Sequence, residues 1–290
     1  MPTSSKPYKE DEKMDMQKRL IETELSILES GVWGTIGNYS VSAAKALAEY
    51  SGAQYGLLCH SYDAAYEAVL RHFGARFGES QTSDATVVCE VSAPADSLVA
   101  VCVGSTPVFA DVCENCGMIR PKNLESLLES IDLPIRAVVL DYLVGRKEDY
   151  KLARVYEICR EKKIPLILNV GGYIGARHED KPLTDFCDAA IFTLGKGSAI
   201  DVGMSGLVLT NDMSIFQGAF AYHNCGRGFG EGASLVMNNI VGGDLRITEW
   251  TAAAAQIILE EGALVAPTPL VQERMRGQPV FDTQYVKKQL

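Results

Sequence analysis

The sequence predicts an α/β fold in which a mostly parallel sheet lies between two layers of helices. Short, continuously apolar runs recur along the 290-residue chain, as expected of strands that are buried on both faces. Helical patterns separate these runs, as in chains of βαβ units. Hydrophobic residues make up 47% of the sequence, which is enough for a large core.

The first elements are two helices that precede the sheet. Residues 11–30 carry apolar side chains at helical spacing, and the pattern stops at Gly31. A second helix is predicted over 41–52, again with a glycine at its end. The alternation then starts with a strand over 55–60 and a helix over 63–77. The sheet is therefore expected to begin after a helical N-terminal segment.

The alternation continues through the rest of the chain. Further strands are predicted over 85–91, 106–112, 135–143, 165–170, 188–194 and 205–212. Further helices are predicted over 94–104, 121–131, 148–163 and 246–263. We divide the chain into an N-terminal helical segment (1–30), a large domain (31–245), and a late helix with a truncated C-terminal segment (246–290).

Charge and hydropathy argue against two classes of protein, those that bind nucleic acids and those that span membranes. The formal net charge of −10 argues against a nucleic-acid partner, because phosphate binding requires a basic surface. Charged residues interrupt the longest apolar runs, so no membrane span is predicted. The first twenty residues contain no apolar signal core. We expect a cytoplasmic protein.

Cysteine and histidine spacing gives no prediction of a metal site. Most of the eight cysteines lie in apolar, strand-like runs, where cysteine behaves as a small buried hydrophobe. Cys113 and Cys116 have CxxC spacing, but no second ligand pair is spaced to complete a zinc site. We interpret this motif as a chance loop sequence in preference to metal or redox chemistry. The four histidines are scattered along the chain.

Four segments occur in an order that is typical of one enzyme family. They are "GVWGTIGNYSVSAAKALAEYSGAQYGLL", "GSTPVFADV", "HNCGR" and "GGDLRITEWTAAAAQ". Between about Gly31 and Glu261 the chain resembles the DegT/DnrJ/EryC1/StrS sugar aminotransferases, and the 3-amino-5-hydroxybenzoate synthase branch looks most similar. This resemblance implies the large domain of a fold-type I enzyme that uses pyridoxal phosphate (PLP), with dimers that share their active sites. It also implies that the small C-terminal domain is truncated or absent.

The positions equivalent to the family's phosphate turn and stacking ring are altered. The family's Ser-Gly-Thr turn matches Ser61, Tyr62 and Asp63. Tyr62 adds bulk where the backbone must approach the phosphate, and Asp63 adds a negative charge beside it. We expect Asp63 to serve as a helix N-cap. The aromatic residue that stacks on the cofactor is replaced by Ala93.

The positions equivalent to the family's catalytic groups are altered as well. The carboxylate that holds the pyridine nitrogen matches Asn169, which cannot stabilise a pyridinium by charge, and the glutamine three residues later matches Gly172. Counting from both sides places Ser198 at the Schiff-base lysine, with Lys196 two residues earlier. Thr193 conservatively replaces a phosphate-binding serine.

The late segments keep features that the family uses at its dimer interface. The family's partner-facing asparagine matches Asp244, and Arg246 is retained. The resemblance therefore implies that a dimer surface persists while the PLP groups are lost.

Three functions follow from these observations. The first is a pseudoenzyme without cofactor that forms a homodimer, or a heterodimer with an active aminotransferase homologue. The second is an active PLP-dependent aminotransferase or sugar-modifying enzyme that uses Lys196. The third is a PLP-free enzyme or small-molecule binder that uses the cleft in which the family binds PLP. Its candidate residues are Ser198, Asp63, His60, Tyr62 and Asn169. We favour the first.

Overall fold

The computed structural model contains the predicted alternation of helices and strands. It describes residues 10–34, 36–75, 84–145, 150–230, 234–238 and 240–282. The helices are α1 (Glu10–Ser30), α2 (Asn38–Ser51), α3 (Tyr62–Ala75), α4 (Pro94–Cys102), α5 (Pro121–Ser130), α6 (Leu152–Glu161), α7 (Met213–His223) and α8 (Glu249–Glu260). The strands of the main sheet are β1 (Tyr55–Cys59), β2 (Ala85–Cys89), β4 (Thr106–Ala110), β5 (Ile135–Asp141), β6 (Leu166–Gly171), β9 (Ala189–Thr193) and β10 (Gly206–Thr210).

These strands form a seven-stranded sheet in the order β1-β10-β9-β6-β5-β2-β4. The pairs from β9 through β6, β5 and β2 to β4 are parallel. Strand β10 is antiparallel to both β9 and β1. The prediction of a mostly parallel sheet is confirmed, and an antiparallel edge completes it.

Hydrophobic side chains cover both faces of this sheet. In β6, Leu166 and Leu168 point into one buried cluster and Ile167 points into the other. Strand β9 does the same with Phe192 and Ile191. Because side chains alternate along a strand, a continuously apolar run fills two cores. This explains why the strands carry no polar alternation in the sequence.

The first helices are tied to the late helix by polar contacts. Both carboxylate oxygens of Glu249 accept hydrogen bonds from the backbone at the start of α2, from Tyr39 N at 2.8 Å and Ser40 N at 2.9 Å. These bonds satisfy donors that a helix start leaves free. Helix α1 contacts the same region, because Arg19 pairs with Glu260 and Glu261.

The predicted cap of α3 was wrong. Ser61 Oγ accepts from Ala64 N at 3.1 Å, so Ser61 caps the helix and Asp63 lies exposed in its first turn. The predicted late helix also started too early, since α8 begins at Glu249 after the cap Thr248. The predicted ends at 76–77 and 148–149 lie outside the described residues.

Several elements were not predicted. Helix α7 was missed because its sequence is apolar on nearly every side and shows no periodicity. Short pairings were missed too. They are β3 (Val91–Ser92), β7 (Arg177–His178), β8 (Lys181–Pro182), β11 (Arg227–Phe229), β12 (Leu235–Met237) and β13 (Glu273–Arg274). Among the described helices, none has the length and hydropathy needed to cross a lipid bilayer.

Candidate functional site at the carboxyl ends of the strands

The candidate site lies where three neighbouring parallel strands end. Strand β5 ends at Asp141, β6 reaches Gly171 just after Asn169, and β9 ends at Thr193. In parallel α/β sheets this edge is where ligands bind. The structure therefore gathers several of the sequence-predicted positions at one edge of the sheet.

Asn169 is buried at the centre of this edge, and all of its polar atoms are engaged. Its side-chain amide nitrogen donates to Asp141 Oδ1 at 2.9 Å and to Asp96 Oδ1 at 3.2 Å. Its carbonyl oxygen accepts from Gly171 N at 3.1 Å. An asparagine amide has two hydrogens to donate, and the two carboxylates take both. No donor of this side chain is left for a ligand.

Two buried carboxyl groups form the core of this network. Burial raises the pKa of Asp96 well above its ordinary value, and the neighbouring Asp141 raises it further. Burial also raises the pKa of Asp141, whereas hydrogen bonds from Asp96 and Gln272 oppose that rise. Two neighbouring buried carboxyl groups cannot both be charged at low cost, so this arrangement favours the protonated form of Asp96. The Asp141 carboxylate also accepts from Ala93 N at 3.1 Å.

The C-terminal segment, residues 264–276, lies over this edge. Gln272 Nε2 donates to Asp141 Oδ2 at 2.8 Å and to Val91 O at 3.2 Å. Strand β13 in the same segment pairs antiparallel with β3. Leu270 packs against Gly171, and a Cβ on that glycine would lie 3.3 Å from Leu270 Cδ1. The chain itself thus fills the space above the ends of β5 and β6.

The turn that carries Ser198 packs into the same edge. Ser198 is buried, and its hydroxyl donates to Gly195 O and, at 3.2 Å, to Ile200 O. A Cβ on Gly172 would lie 2.4 Å from Ser198 Cα, so this close approach leaves no room for a side chain at position 172. Within the described residues the hydroxyl binds only these two carbonyls.

The other positions on this turn face away or bond locally. Lys196 is exposed and makes no hydrogen bond or ion pair within the described residues. Thr193 Oγ1 accepts from Gly195 N at 3.2 Å, which engages it within its own turn. The C-terminal segment also fixes this turn, because Thr268 N donates to Gly197 O at 2.8 Å. The structure does not bring Lys196 to the network around Asn169.

The first residue of α3, Tyr62, supplies one side chain to the network. Burial and the nearby Asp96 raise the pKa of Tyr62, and its hydroxyl donates to Asp96 Oδ1 at 2.7 Å. Burial raises the pKa of Asp63, and His60, which is exposed, lowers it. His60 and Asp63 thus interact with each other, whereas the hydroxyl of Ser198 is held by carbonyls. No Ser/His/Asp relay is assembled from the described residues.

A separate cavity of about 270 Å³ lies between α2, β1 and α7. Tyr55 stacks on Phe216 at a ring distance of 5.4 Å, and Phe229 stacks on Phe220 at 4.2 Å. Burial lowers the pKa of His223, which also lines the cavity, to about 4. We call this cavity the aromatic groove. Its wall is largely apolar.

Asp244 and Arg246 lie beside the aromatic groove. Arg246 Nε donates to Asp244 Oδ1 at 2.8 Å, and Arg246 lines the groove. Neighbouring segments carry exposed apolar side chains: Met237 in β12, which pairs with β11, is 69% exposed, and Val241, three residues before Asp244, is 88% exposed. The two charged residues are therefore paired with each other at the edge of an apolar surface.

Comparison with known proteins identifies the family. The sequence profile of the DegT/DnrJ/EryC1/StrS aminotransferase family matches residues 14–263. The chain belongs to this family. It is 26% identical over 183 residues to the Helicobacter pylori UDP-4-amino-4,6-dideoxy-N-acetyl-beta-L-altrosamine transaminase, covering 63% of this chain and 46% of that protein. It is 22% identical over 228 residues to the Escherichia coli O157:H7 GDP-perosamine synthase, covering 78% and 58%.

Solved structures of the DegT/DnrJ/EryC1/StrS family show the same fold. One of them is 3-amino-5-hydroxybenzoic acid (AHBA) synthase, with a TM-score of 0.70 and 21% identity over 89% of this chain and 64% of that one. The predicted family and its fold-type I aminotransferase architecture are confirmed. The chain spans about half the length of the curated relatives that it matches.

The residues that the sequence comparison predicts at the cofactor positions of the DegT/DnrJ/EryC1/StrS family do not fit PLP in this arrangement. Ser198 has no amine for a Schiff base. Asn169 has no charge for a pyridinium nitrogen, and both of its amide hydrogens are taken. Gln272 and Leu270 lie over the same edge of the sheet, against Asp141 and Gly171. The chain therefore has the family fold, and the polar side chains of its cleft form hydrogen bonds with one another.

Sequence reasoning missed three residues of this network: Asp96, Asp141 and Gln272. Asp141 ends the apolar run "AVVLD", a position where parallel strands often carry functional side chains, so it could have been singled out. Asp96 lies two residues after Pro94 and resembles an ordinary first-turn helix residue. Gln272 gave no signal, because its contact depends on the path of a segment with no periodic pattern.

Proposed function

We propose that this chain is a non-catalytic member of the DegT/DnrJ/EryC1/StrS family that does not use PLP. Its role is that of a partner subunit, which binds a second copy of itself or an active sugar aminotransferase homologue. One observation carries the proposal: Asn169 and Gln272 both donate hydrogen bonds to Asp141, at the edge of the sheet that carries Asn169, a residue which the resemblance assigns to the family's cofactor site.

The network supports loss of cofactor binding for an energetic reason. A ligand at this edge must displace Gln272 from the Asp141 carboxylate and leave a buried charge with fewer partners. Leaving buried polar groups unpaired costs about 1–3 kcal/mol for each group, and more when the group is charged. The lost bonds would have to be replaced by a ligand for which Asn169 has no free donor.

The aromatic groove supports the partner role. The groove exposes Phe229, and β12, which pairs with the strand of Phe229, exposes Leu235, Val236 and Met237. Contiguous exposed apolar surface is typical of protein interfaces. Arg246 at its edge adds a charged group of the kind enriched in interface hot spots.

The first test is cofactor trapping on the full chain. The protein is incubated with PLP and reduced with borohydride, and pyridoxyl-lysine is mapped by peptide mass; Lys196→Ala serves as the control. We expect no aldimine absorbance and no label on Lys196. A label on Lys196 that is lost in the variant contradicts the proposal.

That contradicting result would establish the alternative, an aminotransferase or sugar-modifying enzyme that uses Lys196. Family membership favours this alternative, since the relatives include a transaminase by name. It requires the turn from Gly195 to Gly197 to move and the C-terminal segment to leave the cleft. The trapping experiment separates the two functions directly.

The second test concerns association. Sedimentation of the purified chain is measured alone and after mixing with an active sugar aminotransferase homologue. We expect a dimer or a mixed complex in the micromolar range or tighter. A monomer under both conditions would contradict the partner role.

A further inference from the structure

The loop between β4 and α5 contains the CxxC motif of Cys113 and Cys116, away from the cleft. Val112 and Ile119 form an antiparallel bridge that closes the loop. Inside it, the backbone N–H groups of Cys116 and Gly117 both donate to Cys113 O, at 3.2 and 2.7 Å. A hydrogen bond from residue i+3 back to residue i defines a tight turn with Cα atoms less than about 7 Å apart. That separation lies within the range that a disulfide requires.

Charged and polar groups hold the Cys113 sulfur as an anion. Arg120 Nη2 donates to Cys113 Sγ at 3.3 Å. This bond, together with the backbone N–H groups of Cys116 and Asn115 and the Cys116 thiol, lowers the pKa of Cys113 to about 6. Glu114 is the acidic group that acts on Arg120 from the same loop. Cys113 is therefore mostly thiolate at neutral pH.

The remaining buried cysteines provide a contrast. Burial raises the pKa of Cys59, Cys89 and Cys187, and raises that of Cys159 to about 12. These thiols stay protonated and inert. Cys113 and Cys116 retain 7% and 5% exposure, and the two residues between them, Glu114 and Asn115, are exposed.

We propose that Cys113 and Cys116 form a reversible redox site that exchanges electrons with low-molecular-weight disulfides such as oxidised glutathione. The Cys113 thiolate attacks one sulfur of the small disulfide, forms a mixed disulfide and releases one thiolate. Cys116 loses its proton to water and attacks Cys113 Sγ, which breaks the mixed disulfide and releases the second thiolate. The protein dithiol is oxidised by two electrons, and the small disulfide is reduced to two thiols.

The site differs from the cleft of the proposed function and does not depend on it. Oxidation removes the negative charge that Arg120 binds, at the residue that caps the start of α5. CxxC spacing alone does not distinguish a redox site from an ordinary loop. The turn geometry and the guanidinium beside one sulfur do.

The test uses the full chain, treated with a chelator and equilibrated in mixtures of reduced and oxidised glutathione. Free thiols are blocked by alkylation, and cleavage before Asp111 and Asp132 releases a peptide that contains only Cys113 and Cys116 of the eight cysteines. As the buffer becomes oxidising, we expect this peptide to shift from the doubly alkylated form to an unalkylated form with a mass two hydrogens below that of the free dithiol peptide, and to recover on reduction. Failure to form this intramolecular disulfide would overturn the proposal.

Variants separate the roles of the two sulfurs. Cys116→Ser is expected to trap glutathione on Cys113, because the resolving thiol is gone. Arg120→Gln is expected to slow alkylation of Cys113 at neutral pH by about tenfold, with partial recovery in Arg120→Lys. Cys102→Ser is the control, since Cys102 is exposed but outside the loop. Glutathione trapped on Cys102 alone, or an alkylation rate indifferent to Arg120, would contradict the assignment.

Discussion

The cleft at the carboxyl ends of the strands and the aromatic groove differ in how their side chains are partnered. In the cleft, Asn169, Asp96 and Asp141 are buried, and each makes hydrogen bonds to the others. In the groove, Phe229 keeps about half of its surface exposed, and Met237 on the strand paired with that of Phe229 is 69% exposed. Buried polar groups that are fully paired stabilise one structure, whereas exposed apolar surface is available for association. From this difference we propose that association involves the aromatic groove rather than the cleft.

The largest effect is expected from a substitution that breaks the hydrogen-bond network of the cleft. Asp141→Ala removes the acceptor of Ala93 N, the Asn169 amide and the Gln272 amide. We expect a loss of about 3 kcal/mol in the free energy of unfolding, measured by urea denaturation, because buried donors lose their charged partner. Asp244→Ala is the control, an exposed carboxylate paired with Arg246, and should cost less than about 1 kcal/mol. Equal losses of unfolding free energy in both variants would show that the buried cleft network stabilises the fold no more than an exposed ion pair does.

Packing of the Ser198 turn is tested next. Gly172→Ala places a Cβ against Ser198 Cα, a backbone atom that cannot swing away. We expect roughly 2 kcal/mol of destabilisation in thermal or urea unfolding, within the range for overpacked cores. Gly34→Ala is the matched control, because nothing lies within 4 Å of the added atom. A neutral Gly172→Ala would mean that the turn is free to open.

The shared proton predicts how stability depends on pH. Because the folded pKa of Asp96 is raised, the native state holds a proton that the unfolded chain releases above about pH 4. Its stabilising contribution is complete below the unfolded pKa and is lost as pH rises towards the folded pKa. The difference in unfolding free energy between the wild type and Asp96→Asn should therefore fall by about 1.4 kcal/mol per pH unit from about pH 5 upwards, until the folded pKa of Asp96 is reached.

Asp141 also has a raised pKa and therefore contributes with the same sign. Because asparagine at position 96 has no proton to release in this pH range, the difference between the wild type and Asp96→Asn reports the proton that the two carboxyl groups share. A pH-independent difference between the two proteins would show that Asp96 is ionised in the folded state.

The smallest effect on stability is expected in the aromatic groove. Val241→Glu and Met237→Glu change side chains that are mostly exposed, so unfolding free energy should change by less than about 0.5 kcal/mol. Association in sedimentation experiments should weaken roughly thirtyfold, since a charge enters an apolar interface. Val271→Glu, an exposed valine in the C-terminal segment, is the control and should leave association unchanged. Unchanged association in the groove variants would place the interface elsewhere.

Much of the fold was predictable because its signals are local. The apolar runs of β5 and β6 and the glycines after α1 and α2 mark elements within a few residues of their observed bounds. The positions of Asn169, Gly172 and Ser198 at one edge also followed, because the resemblance supplied a topology.

The sequence by itself determined an α/β chain of the aminotransferase family, and it predicts Ser198 at the lysine position and Asn169 at the carboxylate position. Periodicity and spacing along the chain are enough for this, since each depends on neighbours in sequence. Only the tertiary structure decided which groups face each other in the cleft. Gln272 meets Asp141 across 131 residues of chain, and Tyr62 meets Asp96 across 34. Such contacts depend on the path of the C-terminal segment and on packing between elements, and no local pattern encodes either.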